Sequence, residues 1–489
     1  MTDLQTRPAT RRAEPAAAAR PGRLLALILT GQLMAVLDVA IVNVAVPTIR
    51  TDLHASGAAL QLVIAGYTIA YAVLLITGAR LGARHGYSRV FQYGLAGFTA
   101  ASLACGLAPG TGALIAFRLL QGVGAALMVP QVMSLVQRTF TGAARTRALG
   151  LYSAVLAGGM ALGQVLGGVL VSADLFGTGW RPVFLVNVPI GIALLLAGRR
   201  LLPATPGDRS RRFDLPGLVV LALAIGLLVV PLVLGHELGW PAWGWAMLAA
   251  SGVLFAGFAV VEWRIAARGG QPLIPGRVLR APGLLPAAVS VFLVMAGFAG
   301  FLFAFALHQQ AGLAHSAVRA GLLSAPVAVG FGLSSLHWQR LPARLHGALP
   351  VLALALVAPA YLAVGLMLRG GGEIGLAPEA VLAALGLVAG CAYSPLFGRA
   401  LARVDPADAA DASGVLVTLV QLGQVVGVAV LGTVFLSRVS FPATPQVSGQ
   451  ALWTTVAAIA GALVLAAVSA LATSRATRSR PRPGTAGTD

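Results

Sequence analysis

Two ionisable residues stand inside long apolar stretches, where charge is costly. Asp38 lies in Ala35-Val36-Leu37-Asp38-Val39-Ala40-Ile41-Val42-Asn43-Val44-Ala45-Val46-Pro47, and Arg118 in Phe117-Arg118-Leu119-Leu120-Gln121-Gly122-Val123-Gly124. An ionised carboxylate in mid-membrane costs on the order of 3 kcal/mol, so Asp38 must face a bundle interior or a watery cavity. A carboxylate there has two uses. It can take up and release a proton as access alternates between the two sides, or it can be a permanently paired structural group. Burial raises a carboxylate pKa and a nearby cation lowers it, so an arginine that moved to and fro would drive protonation. Arg118 suits that task if its helix neighbours the first. It lies roughly 9 Å below the outer end of its helix, and Asp38 roughly 15 Å below the outer end of its own, a difference within an arginine's reach.

The elements that carry these residues are membrane helices. Of 489 residues, 58% are hydrophobic and 10% charged, with a mean hydropathy of +0.86; a soluble domain carries about 25% charged residues. Apolar runs close to the ~20 residues that cross a hydrocarbon core predict fourteen helices, near 24–48, 60–79, 90–108, 112–136, 148–172, 181–198, 215–235, 243–263, 284–308, 317–337, 349–369, 377–398, 411–437 and 451–473. Backbone groups in lipid need internal partners, which makes these runs helical. The first run is too long for the apolar core of a cleaved signal peptide.

All 34 basic residues are arginine. Apart from Arg50, Arg118, Arg181, Arg319, Arg369 and Arg438, they fall in the N-terminal tail, the loops 80–89, 138–147, 199–214, 264–280, 340–344 and 399–403, and the end 475–482. These are alternate connections. The positive-inside rule therefore puts both termini in the cytoplasm and makes the span count even. The net charge of +19 is a topology signal spread over short loops, not a nucleic-acid surface.

An internal repeat organises the spans. Arg80-Leu81-Gly82-Ala83-Arg84 recurs as Arg340-Leu341-Pro342-Ala343-Arg344, and Gly163-Gln164-Val165-Leu166-Gly167 as Gly423-Gln424-Val425-Val426-Gly427, both 260 residues apart. A parallel repeat of six helices, with two extra helices between the copies, fits this offset. The expected organisation is a disordered tail 1–23, a six-helix bundle 24–198, a linker with two extra transmembrane helices 199–264, a second six-helix bundle 265–473, and a tail 474–489.

Other residues have roles of their own. Gly150, Gly159, Gly163, Gly167 and Gly168 line the fifth helix at mostly four-residue spacing, which lets helix backbones approach closely. Gly82, Arg84, Gly86 and Arg89 mark a loop between the second and third helices that can set topology or act as a latch. Asn43, Gln61, Tyr67, Gln121, Tyr152, Gln164, Gln421 and Gln424 are candidates to line a substrate cavity, as is Gln32; each can equally bond helix to helix. His308, His315 and His337 fall near span ends in no metal-binding spacing, and Cys105 and Cys391 lie within apolar segments, so no metal site or disulfide framework is expected. The absence of lysine excludes a Walker A loop and a pyridoxal Schiff base. No loop carries a catalytic constellation, so no enzyme activity and no cofactor is expected.

The pattern resembles the fourteen-span drug:proton antiporters of the major facilitator superfamily, the EmrB/QacA-like group, over residues 24–473. Asp38, Asn43 and Pro47 match the first-helix signature, and Arg118, Gln121, Gly122 and Gly124 match the motif whose arginine is assigned to proton coupling. The fifth-helix glycines match the antiporter motif, and Trp180-Arg181, Asn187 and Pro189 match the start of helix 6. Two departures stand out. Ala83 replaces the usual aspartate of the helix 2–3 loop, with Tyr87 and Ser88 in place of basic residues. Gln164 replaces the proline of the helix 5 motif.

The resemblance implies an all-α polytopic protein of the major facilitator fold with 14 transmembrane helices. It implies proton-coupled efflux of amphipathic drugs, antibiotics or toxic metabolites across the bacterial inner membrane. Asp38 would carry the proton and Arg118 would tune it. The implied partners are a small amphipathic organic substrate, protons and the lipid bilayer, with no nucleic acid and a monomeric working unit. Inward transport of a nutrient or siderophore on the same fold, or a non-transporting sensor, are the alternatives.

Overall fold

The computed structural model describes residues 21–204, 206–208, 215–235, 238–268, 272, 276–401, 404, 409–439 and 443–478. They form long helices and no strand among the described residues. In order these are α1 (Pro21–Asp52), α2 (Gly57–His85), α3 (Tyr87–Gly106), α4 (Thr111–Thr139), α5 (Gly142–Ser172), α6 (Pro182–Leu201, interrupted at Val186) and α7 (Leu215–Leu234). Then follow α8 (Ala242–Ala267), α9 (Leu284–Leu307), α10 (Ala317–His337), α11 (Leu349–Leu368), α12 (Leu376–Leu401), α13 (Ala409–Leu436) and α14 (Pro445–Arg478). Of the expected tails 1–23 and 474–489, residues 1–20 and 479–489 lie outside the described residues, as do 205 and 209–214 of the connection 199–214, while 21–23 and 474–478 continue the first and last helices.

Eleven of these helices are long and apolar enough to cross a membrane, among the described residues. The three that fall short are α3, α5 and α7. α3 carries Arg89, Gln92 and several hydroxyl residues. In α5 and α7 only Leu162–Ser172 and Pro216–Leu232 count as apolar stretches. Large exposed apolar side chains such as Val253, Leu465 and Val468 circle the outside, the surface that hydrocarbon requires.

The 260-residue offset recurs in the packing. Ser56 caps α2 by accepting from the Ala59 N–H at 3.2 Å, and Ser316 caps α10 by accepting from the Arg319 N–H at 3.3 Å, each satisfying an orphan donor of a helix start. A Cβ on Gly163 would lie 3.0 Å from the Leu37 carbonyl oxygen, and one on Gly427 would lie 2.1 Å from that of Ala296. So α5 seats on α1 as α13 seats on α9. The helices α7 and α8 pack outside this frame: Leu218, Leu221 and Ile225 of α7 share a cluster with Ala72 of α2 and Val425 of α13. α8 joins α7 through the Ser251 hydroxyl, which donates to the Ala224 carbonyl at 2.7 Å.

The two halves touch along α5 and α10. A Cβ on Gly150 would lie 2.8 Å from Leu336, and one on Gly332 would lie 3.0 Å from Ala154. This contact sits toward the arginine-bearing ends of both helices.

Candidate functional site

Close approach of backbones positions the buried arginine. On α4, a Cβ on Gly122 would lie 2.4 Å from the Tyr67 carbonyl oxygen of α2, and one on Gly124 would lie 2.5 Å from the Phe98 nitrogen of α3. The two glycines therefore let α4 lie against both neighbours, and Arg118, one turn away, reaches into the bundle. There it forms an ion pair with Asp38 of α1. The partners are 1% and 0% exposed.

The pair is the centre of a closed hydrogen-bond network. Arg118 Nη1 donates to Asp38 Oδ2 and, at 2.7 Å, to Gln121 Oε1. Its Nε donates to the Val63 carbonyl at 3.0 Å. Gln121 Nε2 donates to Asp38 Oδ1 at 2.7 Å and to Ser102 Oγ at 2.7 Å. Asn187 Nδ2 of α6 reaches the same carboxylate oxygen at 3.5 Å. Five polar residues from α1, α3, α4 and α6 thus satisfy one another out of water. A buried pair is tolerated only with such geometry, and removing one partner costs about 3–5 kcal/mol because the other is left uncompensated.

One aromatic residue joins this network to a cavity. The Arg118 guanidinium lies 4.7 Å from the centre of the Tyr67 ring, within cation–π range. Tyr67 in turn stacks on Tyr71 with ring centres 6.0 Å apart and planes 12° apart, and its hydroxyl donates to the Ala35 carbonyl at 3.2 Å. Both tyrosines line a partly open cavity between the two halves, with an empty volume of about 860 Å³. On the far wall stand Met295, Phe298, Phe331, Gln421 and Gln424. Gln421 Nε2 donates to the Tyr71 hydroxyl across the cavity, tying α13 to α2.

The expected site residues divide accordingly. Asp38, Arg118 and Gln121 come together in the network, and Tyr67, Gln421 and Gln424 line the cavity. The side chains of Asn43, Pro47 and Gln61 lie outside the described residues. Tyr152 and Gln164 are buried, and neither the Tyr152 hydroxyl nor Gln164 Oε1 has a hydrogen-bond partner among the described residues. Gly159, Gly163 and Gly167 contact α1, Gly150 contacts α10, and Gly168 is buried. Ser102 joins the network, and Tyr71, Met295, Phe298 and Phe331 join the cavity wall, with no mark in the sequence pattern to single them out. Apolar residues carry no signal in so apolar a chain.

The helix 2–3 loop is built around its departures. Gly86 takes φ +99°, a left-handed turn that joins α2 directly to α3. Tyr87 lies beneath Arg138, whose guanidinium is 4.4 Å from the ring centre and donates to the Tyr87 hydroxyl at 3.1 Å. Ser88 donates to the Pro203 carbonyl at 2.7 Å, and the Ala83 carbonyl accepts from the Asp208 N–H at 3.0 Å. A Cβ on Gly82 would collide with the Gln131 side chain of α4. Arg89 is exposed, and Arg84 is half-buried. The three replaced residues hold Arg138 and the linker.

At the opposite end, Asp52 closes α1 onto the start of α6. It accepts from Trp180 Nε1 at 2.9 Å and from Arg181 Nη1 at 2.8 Å. The indole N–H, and then the guanidinium, hold its carboxyl below the ordinary value of 3.8.

A paired charge inside a membrane bundle, linked by one aromatic ring to a cavity between two repeated halves, is the layout of a membrane transporter, and the chain matches the Major Facilitator Superfamily over residues 28–428. It belongs to that superfamily. It is 39% identical over 448 residues to a probable actinorhodin transporter of Streptomyces coelicolor, covering 90% of this chain and 76% of the other. It is 38% identical over 431 residues to the cephamycin export protein CmcT of Amycolatopsis lactamdurans, covering 84% of each. In fold it is similar to the crystal structure of a bacterial homologue of the human lysosomal transporter Spinster, inward-facing and occupied. The TM-score is 0.61 at 17% identity, over 95% of this chain and 99% of that one.

Proposed function

We propose that this protein expels an amphipathic organic compound of the antibiotic class from a bacterial cell in exchange for protons. The observation that carries this reading is the Asp38–Arg118 pair, fully buried, hydrogen-bonded on every side and linked through Tyr67 to the cavity. A relative named as a cephamycin export protein supports the direction of transport. In this reading Asp38 is the proton carrier and Arg118 its tuning cation. When the guanidinium withdraws, the carboxylate is left in a dry site, where the protonated form is favoured. Tyr67 is the mechanical link. A substrate seated on the Tyr67–Tyr71 stack holds that ring, and Arg118 with it, against Asp38, so a filled cavity favours the ionised carboxylate and an empty one its protonation.

The glycines of α5 serve as the moving seam. Their contacts with α1 and with α10 let one half rock against the other, closing the arginine-bearing side in the arrangement described here. The fourteen helices act as spans in a six plus two plus six order, with both termini cytoplasmic and a monomer as the working unit. The proton gradient drives the cycle, and no cofactor is needed.

The test is an antibiotic growth panel in an efflux-deficient host, with uptake into inverted vesicles measured for each protected compound. Wild type should protect and accumulate the compound only when the vesicles are energised. Asp38→Asn should abolish both at equal membrane abundance. Equal accumulation by wild type and Asp38→Asn, or accumulation without a proton gradient, would overturn the carrier role.

A further inference from the structure

The lining of the cavity bears on the charge of what can enter it. Among the described residues, Asp38 and Glu262 are the only acidic residues more than a helical turn inside a helix. Glu262 lies on α8, which contributes nothing to the cavity wall. Asp38 is spent on Arg118, Gln121 and Asn187 and is 0% exposed. Among the described residues no charged side chain lines the cavity. An organic cation entering it would lose its water and meet no counter-ion, the costliest way to bury a charge. Protonating Asp38 makes this worse, because Arg118 then stands behind Tyr67 as an uncompensated positive charge. The Tyr67 face is already given to Arg118, and cation–π attraction to the rings of Tyr71, Phe298 and Phe331, about 0.5–2 kcal/mol, falls short of the several kcal/mol that desolvating an unpaired charge costs.

What the wall does offer suits a flat, uncharged molecule with hydrogen-bonding groups. Tyr67 and Tyr71 present a near-parallel pair on one side. Phe298 and Phe331 present a second pair on the other, with ring centres 4.7 Å apart and planes 41° apart. Between them Gln421 Oε1 is a buried acceptor with no partner among the described residues. The Tyr71 hydroxyl, which accepts from Gln421, keeps its own proton to donate. We infer that the cavity binds uncharged polycyclic aromatic compounds bearing hydroxyl and carbonyl groups, and excludes organic cations of the same size. This rests on the cavity being the substrate site of the proposed exporter.

The test is equilibrium binding to the purified full chain in lipid nanodiscs. The probes are a neutral dihydroxyanthraquinone at pH 6 and the same ring system carrying a trimethylammonium group. The neutral probe should bind, and the cation should bind about 100-fold more weakly. Gln421→Glu should narrow that gap by at least tenfold, with Gln424→Glu as the second variant if the first does not fold. Equal or tighter binding of the cation by wild type, or no binding of the neutral probe, would overturn the inference. So would an unchanged ratio in a folded glutamate variant. Binding as expected without energised transport in vesicles would instead count against the exporter reading alone.

Discussion

The two halves share a scaffold and differ in chemistry. At the 260-residue offset, Gly163 and Gly167 of α5 correspond to Gly423 and Gly427 of α13, and both pairs seat their helix on the first helix of their half. At the same offset Asp38 corresponds to Phe298, Arg118 to Pro378 and Gln121 to Val381. The N-terminal half therefore holds the buried charge, and the C-terminal half answers it with an aromatic side chain that faces the cavity. Close-packing glycines thus recur in both halves, where each seats one helix on another, whereas a buried carboxylate in lipid is costly and stands in one half only. Tyr67 and the Tyr71–Gln421 hydrogen bond then connect the charged half to the apolar one.

The largest expected effect breaks this asymmetry at its charged position. Asp38→Asn removes proton-coupled efflux, whereas Phe298→Leu at the matching position keeps coupling and weakens substrate affinity by about tenfold. Transport rates at saturating and limiting substrate separate the two outcomes. A loss of coupling in Phe298→Leu would mean that the halves are not divided in this way.

The shared scaffold predicts a smaller and more even effect. Gly163→Val and Gly427→Val should both lower thermal stability, by about 1–3 kcal/mol each, through overpacking of a helix seam. Gly427→Val should be the worse of the two. Its added carbon meets a carbonyl oxygen at 2.1 Å, whereas at Gly163 the nearest atom is the Ala40 methyl at 2.7 Å and the nearest carbonyl oxygen lies 3.0 Å away. Thermal unfolding of the two variants in one detergent ranks them, and the reverse order would contradict the seam geometry.

The smallest effect lies at the clasp of Asp52 with Trp180 and Arg181. Because the folded-state pKa is depressed, the stability it contributes is present above the ordinary value of 3.8 and fades as pH falls through the lower folded value. Asp52→Asn should therefore lower the unfolding temperature slightly at pH 7, and the difference from wild type should shrink as the pH falls below the ordinary value of 3.8. The carboxylate is 44% exposed, so solvent screens the pair and keeps the effect small. A gap that widens at low pH would mean the clasp works in the opposite sense.

Much of this was legible in the sequence, for physical reasons. A charge in an apolar run is expensive, so Asp38 and Arg118 announce themselves, and their depths alone predicted that they could meet. Glycines at four-residue spacing announce a close helix seam. The cavity wall does not announce itself: Met295, Phe298 and Phe331 are apolar residues among many, and only tertiary packing selects them. Ser102 is equally silent, since a serine in a membrane helix most often bonds its own backbone. The loop departures at Ala83, Tyr87 and Ser88 looked like losses from a latch. Their partners, Arg138, Pro203 and Asp208, lie in other connections that no local pattern links to the loop.

In the proposed cycle Asp38 gives up its proton as the cavity fills. The direct measurement is proton release from purified protein in weakly buffered detergent on adding the neutral dihydroxyanthraquinone, followed by a pH indicator. Wild type and Glu262→Gln should release protons in step with binding, and Asp38→Asn should bind the probe and release none. Undiminished release from Asp38→Asn would mean that Asp38 is not the proton carrier.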